Sequence, residues 1–169
     1  MELNNINLSR EVYKSDAEKI CDWLCDDEIT INLNEDVKAR ENLISVINRV
    51  NMPILTHLFN NNCRFFTIKN HYGTIGFLRL IPKKEMTEIV IAVGEKELWG
   101  HGIGHKSVLE ALKFAFFEMR SEIVVAKIKK ENKRSQNLFK GLGFREYKEL
   151  NKEIEYRMDF NSFIMKCTV

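Results

Sequence analysis

Three glycines stand at alternate positions in segment 99–105, Trp-Gly-His-Gly-Ile-Gly-His, directly before an apolar helical pattern. The first N–H groups of a helix have no partner within that helix, and they lie at the positive end of its dipole. Glycine allows these groups to approach an anion closely, most often a phosphate or pyrophosphate. The segment therefore predicts a phosphate-binding loop that acts mainly through its backbone and comprises Trp99, Gly100, His101, Gly102, Ile103, Gly104 and His105.

Two common phosphate loops fit this segment only in part. A P-loop, Gly-x-x-x-x-Gly-Lys-Ser/Thr, places Gly100, Lys106 and Ser107 in register, but His105 stands where the second glycine is required. The dinucleotide fingerprint, Gly-x-Gly-x-x-Gly, fits Gly100 and Gly102 and fails again at position 105. That fingerprint is also expected in an early βαβ unit, whereas this loop is late in the chain. Both alternatives are therefore disfavoured.

A second motif follows at 131–144, Glu-Asn-Lys-Arg-Ser-Gln-Asn-Leu-Phe-Lys-Gly-Leu-Gly-Phe. Together with the glycine loop, it closely resembles the GNAT superfamily of N-acetyltransferases, most strongly over residues 86–147. Trp99 takes the Gln/Arg position of that family's acyl-CoA loop, Gln/Arg-x-x-Gly-x-Gly/Ala, and this tryptophan resembles the branch of ribosomal-protein and spermidine N-acetyltransferases. The family's Asn-x-x-Ser-x-x-Leu-Tyr-x-x-x-Gly-Phe motif is matched by Asn132, Ser135, Leu138, Phe139, Gly143 and Phe144.

The resemblance implies a reaction and a cosubstrate. It implies acetyl-CoA, without a metal, and transfer of the acetyl group to a primary amine by direct attack in a ternary complex. The pantetheine arm would pair with Ile91, Ala92 and Val93 like an added strand, and one backbone N–H there would stabilise the oxyanion. Asn132 would hydrogen-bond the pantetheine amide, and Ser135 and Phe139 would complete the acyl-CoA site.

Two proton transfers need further groups. An alkyl amine has a pKa of about 10.4, so it must lose a proton before it attacks. Glu88 is the best candidate base, directly or through water, because it lies on the strand that leads to the thioester. The family often has a tyrosine that protonates the leaving thiolate where this chain has Phe139. Tyr147, Tyr156 or water would supply that proton here, and CoA, with a thiol pKa of about 8.5, can also leave as thiolate.

The elements that position these residues form a mixed sheet with helices, in the order β-α-α-β-β-β-α-β-α-β-β. This is an α/β fold, and the resemblance implies the GNAT acyltransferase type. A capping box of Ser15 and Glu18 starts the first helix. Further helices are predicted at 36–50, 54–60, from the glycine loop to about Arg120, and at 135–140. Strands are predicted at 6–14, 63–69, 74–80, 86–93, 122–128, 144–150 and 153–160, with a crossover joining two parallel strands around the glycine loop.

Length and composition limit the alternatives. The 169 residues predict one domain, 1–169, and a net charge of +2 does not indicate a nucleic-acid partner. No apolar run predicts a membrane span or a secretory signal, and the spacing of the four cysteines predicts neither disulfides nor a zinc site. We therefore expect a cytoplasmic protein. A metal is not expected from the spaced pairs Cys21/Cys25 and His101/His105.

The acceptor and the assembly are less well defined. Acidic residues between the first two helices could attract a cationic amine or form a solvated loop: Asp26, Asp27, Glu28, Glu35 and Asp36. The expected acceptor is a small-molecule amine or a protein N-terminus or lysine, with a homodimer as one candidate assembly. A basic segment could meet the CoA 3′-phosphate or be a solvated face: Lys127, Lys129, Lys130, Lys133 and Arg134. The alternative function, kept open by Phe139, is a non-catalytic acyl-CoA-binding or regulatory module.

Overall fold

The computed structural model describes residues 5–33 and 36–168. Within these residues one sheet is formed by β1 (Asn7–Ser9), β2 (Arg64–Asn70), β3 (Gly73–Lys83), β4 (Met86–Val93), β5 (Ile123–Lys129), β6 (Arg145–Glu149) and β7 (Glu153–Asp159). The strands lie in the order β1-β2-β3-β4-β5-β7-β6. Strands β4 and β5 are parallel, and the other neighbours are antiparallel. The mixed sheet confirms the predicted fold class and the predicted parallel crossover.

The helices lie between and after these strands. They are α1 (Lys14–Leu24), α2 (Asp27–Thr30), α3 (Val37–Arg49), α4 (Thr56–Phe59), α5 (Ile103–Lys113), α6 (Lys133–Leu142) and α7 (Phe160–Cys167). A 3₁₀ turn, Lys96–Leu98, precedes the glycine loop, and a π-helical turn, Phe114–Glu118, continues α5. Helix α5 with this turn matches the long helix predicted after the glycines.

The core has two parts, one on each face of the sheet. Along β3, Leu78 and Leu80 pack into a cluster with α5, α6 and α7, whereas Phe77 packs into a cluster with α1, α3 and α4. Alternate residues of a strand point to opposite faces, so the two clusters lie on the two sides of the sheet. We call these the α5 face and the α1 face. Both faces of β4 are covered, as its apolar sequence predicted.

The start of the chain differs from the prediction. The first strand ends at Ser9 instead of reaching residue 14, and Tyr13 is the N-cap of α1. The Tyr13 N–H donates to the Asp16 carboxylate at 2.9 Å, so the capping box predicted for Ser15 and Glu18 is wrong by two residues. Asp16 is buried and also accepts hydrogen bonds from the side chains of Lys69 and Thr74, which are distant in sequence. Such long-range contacts fix the helix start here and cannot be deduced from a local pattern.

Two helices were not predicted. In α2, the Asp26 side chain caps the helix by accepting the Glu28 N–H at 2.9 Å, within the acidic stretch between the first two predicted helices. In α7, Asp159 caps the helix by accepting the Ser162 N–H at 2.7 Å. Both caps use an aspartate two or three positions before the donor, which is the usual N-cap arrangement.

Candidate active site

Strands β4 and β5 separate part-way along their length. Their ladder runs from Met86 opposite Ile123 to Glu88 opposite Val125 and includes no later pair in the described residues. Strand β4 continues to Val93, where its other edge still pairs with β3. One edge of β4 over residues 89–93 therefore faces a gap instead of a neighbouring strand. A cavity of about 310 Å³ lies at this gap, lined by residues from β4, β5, the glycine loop and α6.

The glycine loop adopts the conformation that its composition requires. Gly100 has φ +83° and Gly102 has φ +79°, in the left-handed region that other residues rarely adopt. Gly102 is the N-cap of α5, and no side chain caps this helix start. The loop lines the cavity, so the uncapped N–H groups of the first turn of α5 lie at its wall. Uncapped helix starts of this kind commonly bind anions in proteins.

Glycine is required at position 104 for helix packing and not for a left-handed φ. A Cβ at Gly104 would lie 3.2 Å from Cδ2 of Leu138, so its absence allows α5 and α6 to pack closely. Leu138 lines the cavity, and the two helices thus meet at its wall. Gly104 therefore allows the two helices to pack closely beside the cavity.

Trp99 fastens the loop to the end of β4. Its indole Nε1–H donates to the carbonyl of Val93 at 2.8 Å. The guanidinium carbon of Arg134 lies 3.7 Å from the centroid of a Trp99 ring. Because Arg134 belongs to the first turn of α6, this contact joins the glycine loop to the opposite wall of the cavity.

Helix α6 contributes the residues of the second motif. The Asn132 side-chain oxygen accepts the Ser135 N–H at 3.1 Å and so caps the helix, leaving the amide NH₂ of Asn132 as a donor. Ser135 and Phe139 line the cavity. Phe139 is almost fully buried, and its ring packs edge-on against Phe144 with centroids 4.9 Å apart.

Glu88 occupies the last paired position before the strands separate. Its carboxylate lies 3.6 Å from the ammonium of Lys127 on β5, and its side chain is 18% exposed. Glu88 pairs across the hairpin with Ile81, on the α1 face of the sheet. The carboxylate therefore lines the cavity on the face opposite α5 and α6.

Helix α2 and the residues after it cover the α1 face of the cavity through Ile29, Asn32 and Leu33. Lys96, in the turn before the glycine loop, holds the start of α2 through Asp26 at 2.8 Å and Glu28 at 2.6 Å. The hydrogen bond from Lys96 lowers the pKa of the Asp26 carboxyl, and these carboxylates raise the pKa of Lys96. The ammonium of Lys129 donates to the carbonyl of Ile31. We call this segment, residues 27–33, the cover; it contacts the turn before the glycine loop through Lys96 and strand β5 through Lys129.

The acidic residues expected to attract an amine have other partners. Asp26 and Glu28 bind Lys96, and Asp36 caps α3 by accepting the Lys38 N–H. Asp27 is exposed, and Glu35 lies outside the described residues. Asp26, Glu28 and Asp36 therefore each have a structural partner within the protein.

Two of the predicted site residues lie away from the cavity. His101 is exposed, and its ring nitrogen lies 3.1 Å from the Trp99 carbonyl. Tyr147 is 60% exposed, and the Arg157 guanidinium lies over its ring. Neither is among the described residues that line the cavity, whereas every other predicted site residue is. Tyr156, the other tyrosine considered, is fully buried on the α5 face, and no hydrogen-bond partner of its hydroxyl is present among the described residues.

The cysteines do not form a nucleophilic site. Burial raises the pKa of the Cys21 thiol to about 11 and also raises that of Cys63. Among the described residues that line the cavity there is no cysteine. Within residues 5–33 and 36–168, no three metal-ligating side chains come together, and no helix is long and apolar enough to cross a membrane.

The cover and its neighbours on β3 were missed by sequence reasoning. One signal was available for β3, because residues 84–85 form a two-residue turn that fixes the hairpin register. That register places Ile81 opposite Glu88 and Arg79 opposite Val90, and both β3 residues line the cavity. No comparable local signal pointed to Ile29.

Comparison with known proteins identifies the family. The model of the acetyltransferase (GNAT) domain family matches residues 8–145. The chain belongs to this family. The match confirms the predicted resemblance and, with it, the predicted enzyme class of N-acetyltransferase. A curated relative, the uncharacterized N-acetyltransferase p20 of Bacillus licheniformis, is 24% identical over 139 residues, which are 80% of this chain and 76% of the relative.

Solved structures share the GNAT fold at low sequence identity. The spermidine N-acetyltransferase of Vibrio cholerae, in complex with CoA and spermine, superposes with a TM-score of 0.76 at 17% identity, covering 94% of this chain and 98% of that one. The N-acetyltransferase PseH of Campylobacter jejuni, in complex with acetyl coenzyme A, gives a TM-score of 0.66 at 17% identity, covering 92% and 99%. These GNAT proteins therefore bind CoA or acetyl-CoA on the same fold.

Proposed function

We propose that residues 1–169 form one N-acetyltransferase domain that transfers the acetyl group of acetyl-CoA to a primary amine by direct attack in a ternary complex. The observation that carries the proposal is the gap between β4 and β5, which ends at an uncapped helix start on one side and at Glu88 on the other. A long thioester with a phosphate end matches this shape. The four free cysteines are consistent with a cytoplasmic enzyme.

In this proposal acetyl-CoA lies along the gap. The backbone of Ile91, Ala92 and Val93 pairs with the pantetheine arm, as an added strand would. The free NH₂ group of Asn132 donates to a pantetheine carbonyl, because its oxygen is already used in capping α6. The first-turn N–H groups of α5 receive the pyrophosphate. The proposal includes no metal, because backbone N–H groups and the helix dipole stabilise the anion.

The reaction requires the acceptor to approach from the α1 face. The neutral amine nitrogen attacks the thioester carbonyl, and an N–H of β4 stabilises the oxyanion that forms. Glu88 accepts the proton of the amine, directly or through a water molecule, with the Lys127 ammonium 3.6 Å from its carboxylate. The C–S bond then breaks, and the amide product and CoA leave. No acyl-enzyme forms, in agreement with a cavity lining without cysteine among the described residues.

The leaving thiolate needs no tyrosine at position 139. Phe139 has no proton to donate, Tyr147 lies outside the cavity, and Tyr156 is buried in the core. Because the pKa of the CoA thiol is about 8.5, its thiolate leaves with a modest penalty at neutral pH. CoA leaves as the thiolate and takes up its proton in bulk solvent. Phe139 therefore does not imply an inactive protein.

For the acceptor we propose a cationic amine, with polyamines as the first compounds to test. This choice rests on the fold shared with the Vibrio cholerae spermidine N-acetyltransferase and on two carboxylates, Asp26 and Glu28, at the start of the helix that covers the cavity. Asp26 and Glu28 share one lysine, Lys96, so the pair keeps a net negative charge toward a second cation. A protein N-terminus or lysine is the other acceptor class.

The test is amine-dependent release of CoA thiol from acetyl-CoA. The panel comprises spermidine, spermine, a short diamine, an aminoglycoside and a peptide with a free N-terminus, each with product identification by mass spectrometry. We expect at least one amine to give an acetylated product in equal amount to released thiol. Tight binding of acetyl-CoA without release by any amine would instead identify an acyl-CoA-binding module.

A further inference from the structure

Most of the cations near the cavity are engaged by protein oxygens. Lys127 lies beside the carboxylate of Glu88, and Lys130 pairs with Glu149. Lys129 donates to a backbone carbonyl of the cover. These three lysines therefore have partners that an incoming phosphate would have to displace.

Arg134 differs from them in its surroundings. It lines the cavity, and its guanidinium lies over the ring of Trp99 at 3.7 Å from the centroid. In the part of the chain that the structure describes, no carboxylate lies within ion-pair distance of it. Partial burial lowers the pKa of the guanidinium, and the charge of Glu28 offsets only part of this shift.

The position of Arg134 points to one part of the ligand. Trp99 begins the glycine loop, so the guanidinium lies at the loop that leads into the uncapped first turn of α5. A cation held over a ring face uses no hydrogen-bond acceptor, so its N–H groups stay available. A guanidinium matches phosphate oxygens geometrically and binds them with two hydrogen bonds at once.

We propose that Arg134 binds the pyrophosphate of CoA together with the first turn of α5, and that Trp99 holds the guanidinium in place before CoA arrives. The inference rests on the proposed acetyl-CoA site and adds a side chain to a loop that otherwise acts through its backbone. Trp99 is then a positioning residue, and Arg134 is a binding residue. The neighbouring Lys133 is not among the described residues that line the cavity, so we assign it no such role.

The experiment compares Arg134→Met with Lys133→Met by calorimetric titration of CoA and of 3′-dephospho-CoA. Both variants lose one positive charge from the same turn of α6, so they are matched in the charge that is removed. A charge-assisted hydrogen-bonded contact predicts that Arg134→Met weakens both ligands by the same factor, about tenfold to a hundredfold. We expect Lys133→Met to change either affinity less than about threefold, because Lys133 is not among the described residues that line the cavity and its exposed charge is screened. Arg134→Lys should lie between wild type and Arg134→Met.

The outcomes separate this inference from the proposed function. If wild type does not bind CoA, the acetyl-CoA site itself is wrong. If wild type binds CoA and Arg134→Met binds it equally well, only the role of Arg134 is refuted. A loss for CoA without a loss for 3′-dephospho-CoA would assign Arg134 to the 3′-phosphate and overturn the pyrophosphate assignment. Unchanged melting temperatures of the variants exclude unfolding as the cause.

Discussion

Replacing Gly102 by alanine tests whether this glycine serves CoA binding or only allows the backbone to turn. Gly102 has φ +79°, and Gly73, in the turn between β2 and β3, has φ +118°. A Cβ at either position meets no heavy atom within 4 Å, so the cost in the unliganded protein is backbone strain alone. That strain is about 1–2 kcal/mol for a residue other than glycine, which corresponds to a fall in melting temperature of roughly 2–8 °C for a chain of this size.

The two variants should differ only in CoA binding. The N–H groups after Gly102 form the proposed anion site, so relaxation of φ at this position would turn them away from the pyrophosphate. We expect Gly102→Ala to weaken CoA binding by about tenfold or more, roughly 1.4 kcal/mol, and Gly73→Ala to leave it unchanged. Calorimetry and thermal melting of both variants measure the two effects. Unchanged CoA affinity in Gly102→Ala, or an equal loss in Gly73→Ala, would refute a direct role for the loop.

Three further predictions concern proton transfer and stability. Glu88→Gln should lose about a hundredfold in rate at neutral pH and recover partly as pH rises, because more of the amine is then neutral; a pH–rate profile that superimposes on wild type would exclude Glu88 as the base. Phe139→Tyr should keep CoA binding and maintain or raise the rate of thiol release, and loss of binding in calorimetry would contradict the position assigned to this ring. Burial alone would raise the pKa of Asp16, but hydrogen bonds from Thr74, the Tyr13 N–H and Lys69 outweigh it and hold the pKa below its ordinary value. The stability that Asp16 contributes is thus complete above about pH 4 and is lost as pH falls through the lowered pKa. Asp16→Asn should lower the free energy of unfolding at pH 7, measured in urea, by at least about 1.5 kcal/mol, and should weaken the loss of stability below about pH 4. An unchanged loss of stability at acid pH would contradict this.

The sheet and the glycine loop could be predicted because their signals are local. Alternating and continuous apolar runs predict β2, β3 and β4. The closely spaced glycines of the loop predict left-handed backbone conformations, which Gly100 and Gly102 adopt. The second motif contains its own helix cap in Asn132 and its own stop in Gly143, at φ +101°. Each of these features depends on residues a few positions apart.

The cover of the cavity depends instead on distant residues. Lys96 reaches Asp26 across 70 positions, and Lys129 reaches the Ile31 carbonyl across 98 positions. Tyr147 lies away from the cavity because β6 is the edge strand of the sheet, and β7 and β5 separate it from the gap beside β4. The order of strands in a sheet is fixed by pairing between distant parts of the chain, so a local sequence pattern does not indicate it.

Two-substrate kinetics test the proposed reaction most directly. Initial rates of thiol release are measured at several acetyl-CoA concentrations against the best amine of the panel, with the acetylated amine quantified by mass spectrometry. Direct attack in a ternary complex predicts double-reciprocal lines that intersect and one acetylated amine for each CoA released. Parallel lines would indicate an acyl-enzyme, and thiol release that does not depend on any amine would contradict acetyl transfer to an amine altogether.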